Sequence, residues 1–442
     1  MIKKLIVVFV VIFALSSHAQ EGVASPYSFY GIGSLKFRGT VENRSMGGLS
    51  IFRDSIHINL RNPAAFTGPN LLSFNKENRP VKYAVGGSYS SATLKTDTEK
   101  ANVSSTSFDY LALNFPVGKF GVGLGLLPYT AVGYKLESEN DQEQITNRFN
   151  GEGGVNKAFL GFAYSISDNF SIGVNTQYNF GNIQNSAIEF RFDNDGAPLV
   201  AQSRENNRSD LSGLNFDFGL YYKTKLSKTL ELTTAFTFTP ESSLTSKNQR
   251  SFAVVNVGAS GQEIVINSID TDLVAQGLDE TDLILPSKFS LGAGIGVARK
   301  WFVGAEYESQ KTGDFNNPFY SQNSSSVASN FEDGYRFSLG GFYIPKYNSF
   351  SGYFKRLVYR AGFRSERTGL IIENTSGIES INEFGISFGV GIPVGEFGSN
   401  ANVGLEIGKR GTTNNNLIQE NFINLQISLS LNDRWFVKRK YD

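Results

Sequence analysis

Glu383-Phe384-Gly385-Ile386-Ser387-Phe388-Gly389-Val390-Gly391-Ile392 places a large apolar side chain at every even position and a charged or small one at every odd position. A period of two is what a strand with one apolar face requires. The same period runs through Leu214, Phe216, Phe218, Leu220 and Tyr222 against Asn215, Asp217 and Gly219, and through Leu230, Leu232, Phe236 and Phe238 against Glu231, Thr233 and Thr237. It returns at Ile423, Leu425, Ile427, Leu429 and Leu431 against Asn424, Gln426, Ser428 and Ser430. A composition of 46 Gly, 37 Phe and 19 Tyr with only two Trp suits a long succession of strands.

A soluble sandwich also alternates, so the links between strands decide the placement. Tight links at Val117 to Lys119, Ser167 to Asn169, Ser227 to Thr229 and Arg299 to Lys300 take turns with long polar ones. The long ones run roughly over 137–156, 192–210, 240–285 and 311–334. Short periplasmic turns and longer external loops are the signature of an outer-membrane barrel. Strand starts near Val81, Ser105, Phe120, Asn156, Phe170, Leu211, Leu230, Ser287, Trp301, Tyr335, Val358, Ile381, Asn402 and Phe422 predict an all-β, antiparallel up-and-down transmembrane barrel of about fourteen strands. Within the longest link, Ser251 to Val257 and Glu263 to Ile266 read as an external hairpin and Asp270 to Gly277 as a short helix. Trp301, Tyr307, Phe319, Tyr320, Tyr335 and Trp435 lie near strand ends, where interfacial aromatics are expected.

Lys3 and Lys4 precede an apolar run from Leu5 to Leu15 and then Ser17, His18, Ala19 and Gln20, the pattern of a cleaved signal peptide over 1–19. The run is too short to span a bilayer as a helix, and the expected location is the outer membrane of a Gram-negative cell. There is no cysteine, which removes lipid anchoring, disulfides and thiolate metal sites. Lys plus Arg and Asp plus Glu balance at 41 each, which gives no footprint for nucleic acid. A barrel over 81–436 and a periplasmic tail over 437–442 complete the expected layout.

Residues 20–80 do not alternate, and their Gly, Pro and Asn content reads as a compact irregular unit, either a small periplasmic domain or a hatch inside the barrel. A lumen of about fourteen strands is too wide for wall side chains to fill, which favours the hatch. The run Ser45-Met46-Gly47-Gly48-Leu49, then Asp54-Ser55, then Asn62-Pro63-Ala64-Ala65-Phe66, resembles the N-terminal hatch of the FadL-type long-chain fatty-acid transporter family. The likeness continues at Leu285-Pro286-Ser287-Lys288-Phe289-Ser290-Leu291-Gly292 and in strand count; related secretion and assembly barrels share the hatch pattern. It implies Met46, Gly47, Gly48, Asn62, Pro63 and Ala64 as a hatch motif. In that family a kink in the third strand opens the wall laterally. Here Pro128, followed by Gly133, falls in the third expected strand. Proline cannot donate to a ladder, so Pro128 marks either such an opening or a bulge near the outer rim.

Catalytic chemistry is sparse. After the signal only His57 remains, between Ile56 and Ile58, and a lone histidine among apolar neighbours reads as a packed structural residue. Asp217, Glu231 and Glu383 should face the lumen as solubilising or hatch-pairing groups, and Asp193-Asn194-Asp195-Gly196 reads as a turn that lacks the later ligands of a calcium loop. The expectation is a non-enzyme without metal or cofactor, in contact with outer-membrane lipid. Two functions fit. One is passage of small hydrophobic molecules, gated by the hatch or leaving sideways near Pro128, toward which the layout leans. The other is a non-transporting plugged subunit that contacts other outer-membrane proteins in an assembly or secretion complex. An apolar slot in the lumen would mark the first, and a tightly packed hatch with no continuous path and an exposed patch would mark the second.

Overall fold

A computed structural model describes residues 23–67, 81–140, 142–258, 261–319, 328–374, 377–394 and 398–433. Fourteen antiparallel strands form the wall: β1 (Val81–Lys95), β2 (Lys100–Val117), β3 (Phe120–Glu139), β4 (Ile145–Ser165), β5 (Phe170–Glu189), β6 (Gln202–Lys225) and β7 (Leu230–Thr239). The second half comprises β8 (Lys288–Val297), β9 (Trp301–Gln310), β10 (Gly334–Tyr343), β11 (Val358–Asn374), β12 (Gly377–Pro393), β13 (Asn400–Arg410) and β14 (Gln419–Asp433). Thirteen of the expected strand starts fall within their own strands, and Ser287 lies one residue before β8. β14 closes on β1 from Gln419↔Lys95 to Asp433↔Val81. Closure removes the sheet edge, the condition for strands to cross hydrocarbon with their backbone groups satisfied.

The alternation sorts the two faces as anticipated. On β12, Phe384, Ile386 and Phe388 are exposed while Glu383 and Ser387 are buried, and on β14 Ile423, Leu425 and Ile427 lie outward while Gln426 and Ser428 are buried inward. The lipid band can be read along β6. Its outward row Tyr222, Leu220, Phe218, Phe216 and Leu214 is exposed and apolar. The row then turns polar at Ser212, Asp210, Arg208, Asn206 and Arg204. A strand needs about 9–11 residues to cross, and β6 has 24, so its outer half stands above the membrane.

This is where the expected long links depart from the structure. Most of 137–156 and about half of 192–210 is strand, because β3–β4 and β5–β6 keep pairing beyond the lipid band, to Glu139↔Ile145 and Glu189↔Ser203. The external hairpin forms, and it is longer than expected: Ser242–Val257 pairs with Glu263–Asp270 on one side and with the outer half of β6 on the other. The short helix over Asp270 to Gly277 does not form. Residues 274–277 make a turn closed by Leu278 N–H donating to Leu273 O at 3.0 Å, because Leu273 and Leu278 fold together onto buried Phe319. Phe319 therefore belongs to this loop core and not to an interfacial girdle; Trp301, Tyr307 and Tyr335 lie on strands β9 and β10. The signal segment, Tyr320, Trp435, Phe436 and the tail lie outside the described residues.

Residues 23–67 contact the inward faces of the wall. They contain a two-residue strand, Ser34–Leu35, a single helical turn, Val41–Arg44, and two 3-10 turns, Pro26–Phe29 and Pro63–Phe66. The Val41–Arg44 turn is closed by a capping box between Thr40 and Asn43. Asn62 caps the second 3-10 turn by accepting from Ala64 N–H, and Pro63 supplies its preset φ at the first helical position.

Candidate functional site: the β2–β3 seam and the segment behind it

Pairing between β2 and β3 begins at Val117↔Phe120 and stops at Leu111↔Leu126. Beyond that point the outer half of β2 pairs only with β1, while β3 keeps its ladder with β4. Pro128 sits just past the break, opposite Asn156, and the register slips between Pro128 and Thr130, so Tyr129 is an extra residue in the strand. A bulge of this kind bends the strand that carries it. β4 follows the bend through Gly153 and Gly154, whose φ values of +113° and +142° are accessible to glycine.

The place that β2 vacates is taken by the N-terminal segment. Ser34 pairs with Ala131 and Leu35 with Thr130. Lys36 N–H donates to Tyr129 O at 2.8 Å and Ser25 N–H to Gly133 O at 3.0 Å, while Gly133 N–H donates to Ser28 Oγ at 3.1 Å. A side chain on Gly133 would collide with Val23 O. A cavity of about 110 Å³ remains between the segment and the wall, lined by Ser104 and Ser105 of β2, Arg38, Glu406, Arg410 and Glu420 among others. It is polar and charged.

The segment is also held to the wall by side chains. Arg38 bonds Glu366 at 2.6 Å and Glu383 at 2.9 Å. Arg44 reaches Asp109 at 3.3 Å, and Arg61 reaches Glu306 at 2.9 Å and Glu308 at 2.7 Å. Arg364 of β11 joins the first of these clusters, bonding Glu383, Glu406 at 2.7 Å and Glu366 at 3.2 Å. All these groups are buried or nearly so, and ion pairs with little exposure hold only where each charge is matched and hydrogen-bonded. Glu383 thus meets an arginine of the N-terminal segment, whereas Asp217 bonds Gln177 and Thr239 within the wall and Glu231 pairs with Lys223.

Of the residues expected as a hatch motif, Met46, Gly47, Asn62, Pro63 and Ala64 pack on glycines of the wall. Side chains at Gly340 and Gly362 would strike the Met46–Gly47 backbone, and side chains at Gly173 and Gly219 would strike Ala64 N and Asn62 Oδ1. Gly47 takes φ +71° and donates its N–H to Ser387 Oγ at 3.0 Å. Gly48 takes φ +87° and donates to Asn43 O at 2.8 Å. Asn62 Nδ2 donates to Leu220 O at 3.1 Å. Met46 and Ala64 are buried in one cluster with Leu49, Ile51, Tyr221 and Phe302. Phe66 stacks on Phe159 with ring centroids 6.2 Å apart.

His57 is engaged structurally. Its Nδ1 lies 2.6 Å from Asp54 Oδ2, and Asp54 Oδ1 accepts from the N–H groups of Ile56 and His57. Burial opposes ionisation of Asp54, but His57, Lys82 and the donated N–H bonds outweigh it and hold the carboxyl well below its usual range. Asp193 Oδ1 accepts from Asp195 and Ala197 N–H at 3.0 and 2.8 Å, which makes the expected turn.

Above the lipid band a second, larger cleft of about 720 Å³ faces outward, lined by Tyr134, Asn185, Asn207, Arg250 and Asp270 among others. Nearer the membrane on these strands lie Val132, Val155, Ile183, Leu211 and Leu244, and Ile32 of the N-terminal segment packs on them in one dry cluster. This apolar layer divides the outer cleft from the charged cavity at the seam.

Comparison with known proteins places this architecture. The Ralstonia pickettii toluene transporter TbuX is 13% identical, with a TM-score of 0.57 over 91% of this chain and 100% of that one. A Pseudomonas aeruginosa FadL homologue is 12% identical, with a TM-score of 0.57 over 90% and 99%. The Pseudomonas putida toluene transporter TodX is 16% identical, with a TM-score of 0.54 over 91% and 99%. At these identities the likeness establishes a shared FadL-type outer-membrane barrel fold. No curated protein matches the chain. The family described as BamG matches residues 1–442, and this chain, a closed barrel with FadL-type architecture, belongs to the BamG family.

Proposed function

We propose that this protein works as a plugged outer-membrane barrel that acts through its surfaces, as a non-transporting subunit of an outer-membrane protein assembly, with residues 23–67 as its resident hatch. The observation that carries this reading is the anchoring of the hatch: Arg38, Arg44 and Arg61 are each in ion pairs of little exposure with carboxylates of the wall. Breaking one partner of a buried pair costs about 3–5 kcal/mol, so such a hatch is built to stay. The apolar layer around Ile32 adds a second closure. An exposed apolar patch is present as well: Phe252, Val254, Ile264 and Ile269 stand out from the external hairpin. Among the described residues Glu263–Asp270 is paired along one side only, and a strand edge of this kind can accept a partner's strand.

A second reading, passage of small molecules, is favoured by the seam itself. The ladder fails beside Pro128, where an opening of the wall would lead to the bilayer, and the fold is that of proteins described as toluene transporters. In this reading the hatch end from Ser25 to Lys36 would have to leave β3. The charged lining of the seam cavity suits amphipathic cargo better than a plain hydrocarbon.

One experiment separates the two. The sequence has no cysteine, and Ser34 and Ala131 are Cα partners, so Ser34→Cys with Ala131→Cys can be bridged. Cells whose sole copy is the oxidised form should grow normally and retain the same co-purifying outer-membrane proteins in gentle detergent if the hatch is static. Loss of function that is restored by reductant would reject the static hatch and establish passage.

A further inference from the structure

The periplasmic rim departs from short turns at residues 344–357, between β10 and β11. This link carries Tyr347, Phe350, Tyr353 and Phe354 on its surface, with Phe350 104% and Phe354 75% exposed, values at which the rings touch almost no protein. It also carries Lys346, Lys355 and Arg356 and lies beside Arg299: the Arg299 guanidinium is 5.0 Å from the Tyr347 ring and that of Arg356 is 5.2 Å from the Tyr353 ring. None of these four cations has a carboxylate partner among the described residues, and Arg356 Nε is buried without a hydrogen-bond partner.

The position of the link is fixed by Tyr359. This residue pairs with Tyr343 and belongs to the outward row of β11 that continues at Phe363. Its hydroxyl donates to Phe354 O at 3.1 Å. Phe354 and its neighbours therefore sit at the lipid side of the rim, where the apolar band ends. Charge agrees with this location. The described periplasmic links carry Lys119, Lys228, Arg299 and Lys300 besides the three cations of 344–357, against the single carboxylate Asp168. The external links are the reverse, with Asp97, Glu99, Asp193, Asp195, Asp272 and Asp279 among acids that outnumber their cations Arg191, Lys247, Arg250 and Lys311 among the described residues.

We propose that residues 344–357 together with Arg299 bind the headgroup of an anionic phospholipid in the periplasmic leaflet. The aromatic rings enter the headgroup region, where amphipathic and aromatic side chains are favoured. Guanidinium groups lying on tyrosine faces present their N–H edges to a phosphate. The unmatched cations find their counter-charge in the lipid, and the acyl chains run up beside Tyr359 and Tyr343.

The test uses the full protein, delipidated in mild detergent and returned to nanodiscs of phosphatidylcholine with graded phosphatidylglycerol, with retained lipid read by native mass spectrometry. Phosphatidylglycerol should be retained in preference to phosphatidylcholine. Arg299→Gln and Arg356→Gln should each weaken that retention about fivefold, and Phe350→Ser with Phe354→Ser should weaken retention of both lipids. Heat-modifiable gel migration confirms that each variant is folded. Equal retention of the two lipids by the native protein, or unchanged preference in the folded double variant Arg299→Gln/Arg356→Gln, would overturn the proposal. So would a photo-crosslinker at Phe350 that captures a protein and no lipid in whole cells.

Discussion

The N-terminal segment meets the barrel in two unlike ways. Against β10 to β13 it is held by side chains: Arg38 and Arg44 enter a cluster with Glu366, Glu383, Glu406 and Arg364, and Met46–Gly47 rests on Gly340 and Gly362. Against β3 it is held by backbone: Ser34–Leu35 adds a short strand, and Lys36 and Ser25 donate to Tyr129 and Gly133. Behind the first contact the wall is whole, paired from Glu383↔Arg410 to Pro393↔Asn400, whereas behind the second the β2–β3 ladder has stopped. Side-chain contacts of the first kind depend on particular residues and are costly to half-break. Backbone pairing of the second kind tolerates many sequences and exchanges readily. The arginine side is the anchor, and the seam side is the end that would release first.

Three substitutions probe that contrast, in decreasing order of effect. Arg364→Met removes the shared cation of three carboxylates, which keep Arg38 and Arg44 as partners, and should lower stability by about 3–5 kcal/mol, read as a reduced midpoint of thermal unfolding in detergent. Gly362→Val pushes a side chain into the Met46–Gly47 backbone and should cost about 1–3 kcal/mol, with residues 44–48 becoming sensitive to protease before the wall unfolds. Lys36→Pro deletes one N–H bond to Tyr129 and should cost about 0.5–1.5 kcal/mol, seen as faster amide exchange confined to residues 25–36. If Lys36→Pro lowers the midpoint as much as Arg364→Met, the division into anchor and releasable end is wrong.

The parts legible in the sequence were those governed by local period. Thirteen starts fall within their strands and the fourteenth, Ser287, one residue short, because each crossing strand must alternate whatever its neighbours do. The external heights of β3 to β6 were underestimated because alternation there runs polar on both faces, as at Arg204, Asn206 and Arg208, and a strand with two wet faces resembles a loop in sequence. Pro128 was visible as an irregularity, yet which neighbour β3 loses depends on pairing with residues near position 34, and no local pattern encodes that. The arginine anchor was hidden for the same reason. Glu383 could be assigned to the lumen by parity, but its partner Arg38 lies 345 residues away, and nothing in the spacing of Arg38, Arg44 and Arg61 names the carboxylates they meet. The exposed aromatics of 344–357 were in plain view as composition and acquired meaning only when Tyr359 fixed the side of the wall they occupy.

The bond between Ser25 and Glu420 joins residues 395 positions apart, and Glu42 meets Ser430 across nearly the same interval. Both late partners, the acceptor Glu420 and the donor Ser430, belong to the final strand, so the earliest residues of the described chain cannot settle until the latest have arrived. Maturation must therefore end with a stage in which a nearly complete hoop still carries a loose leading end, and β14 reaching β1 completes the cylinder and the berth for that end together.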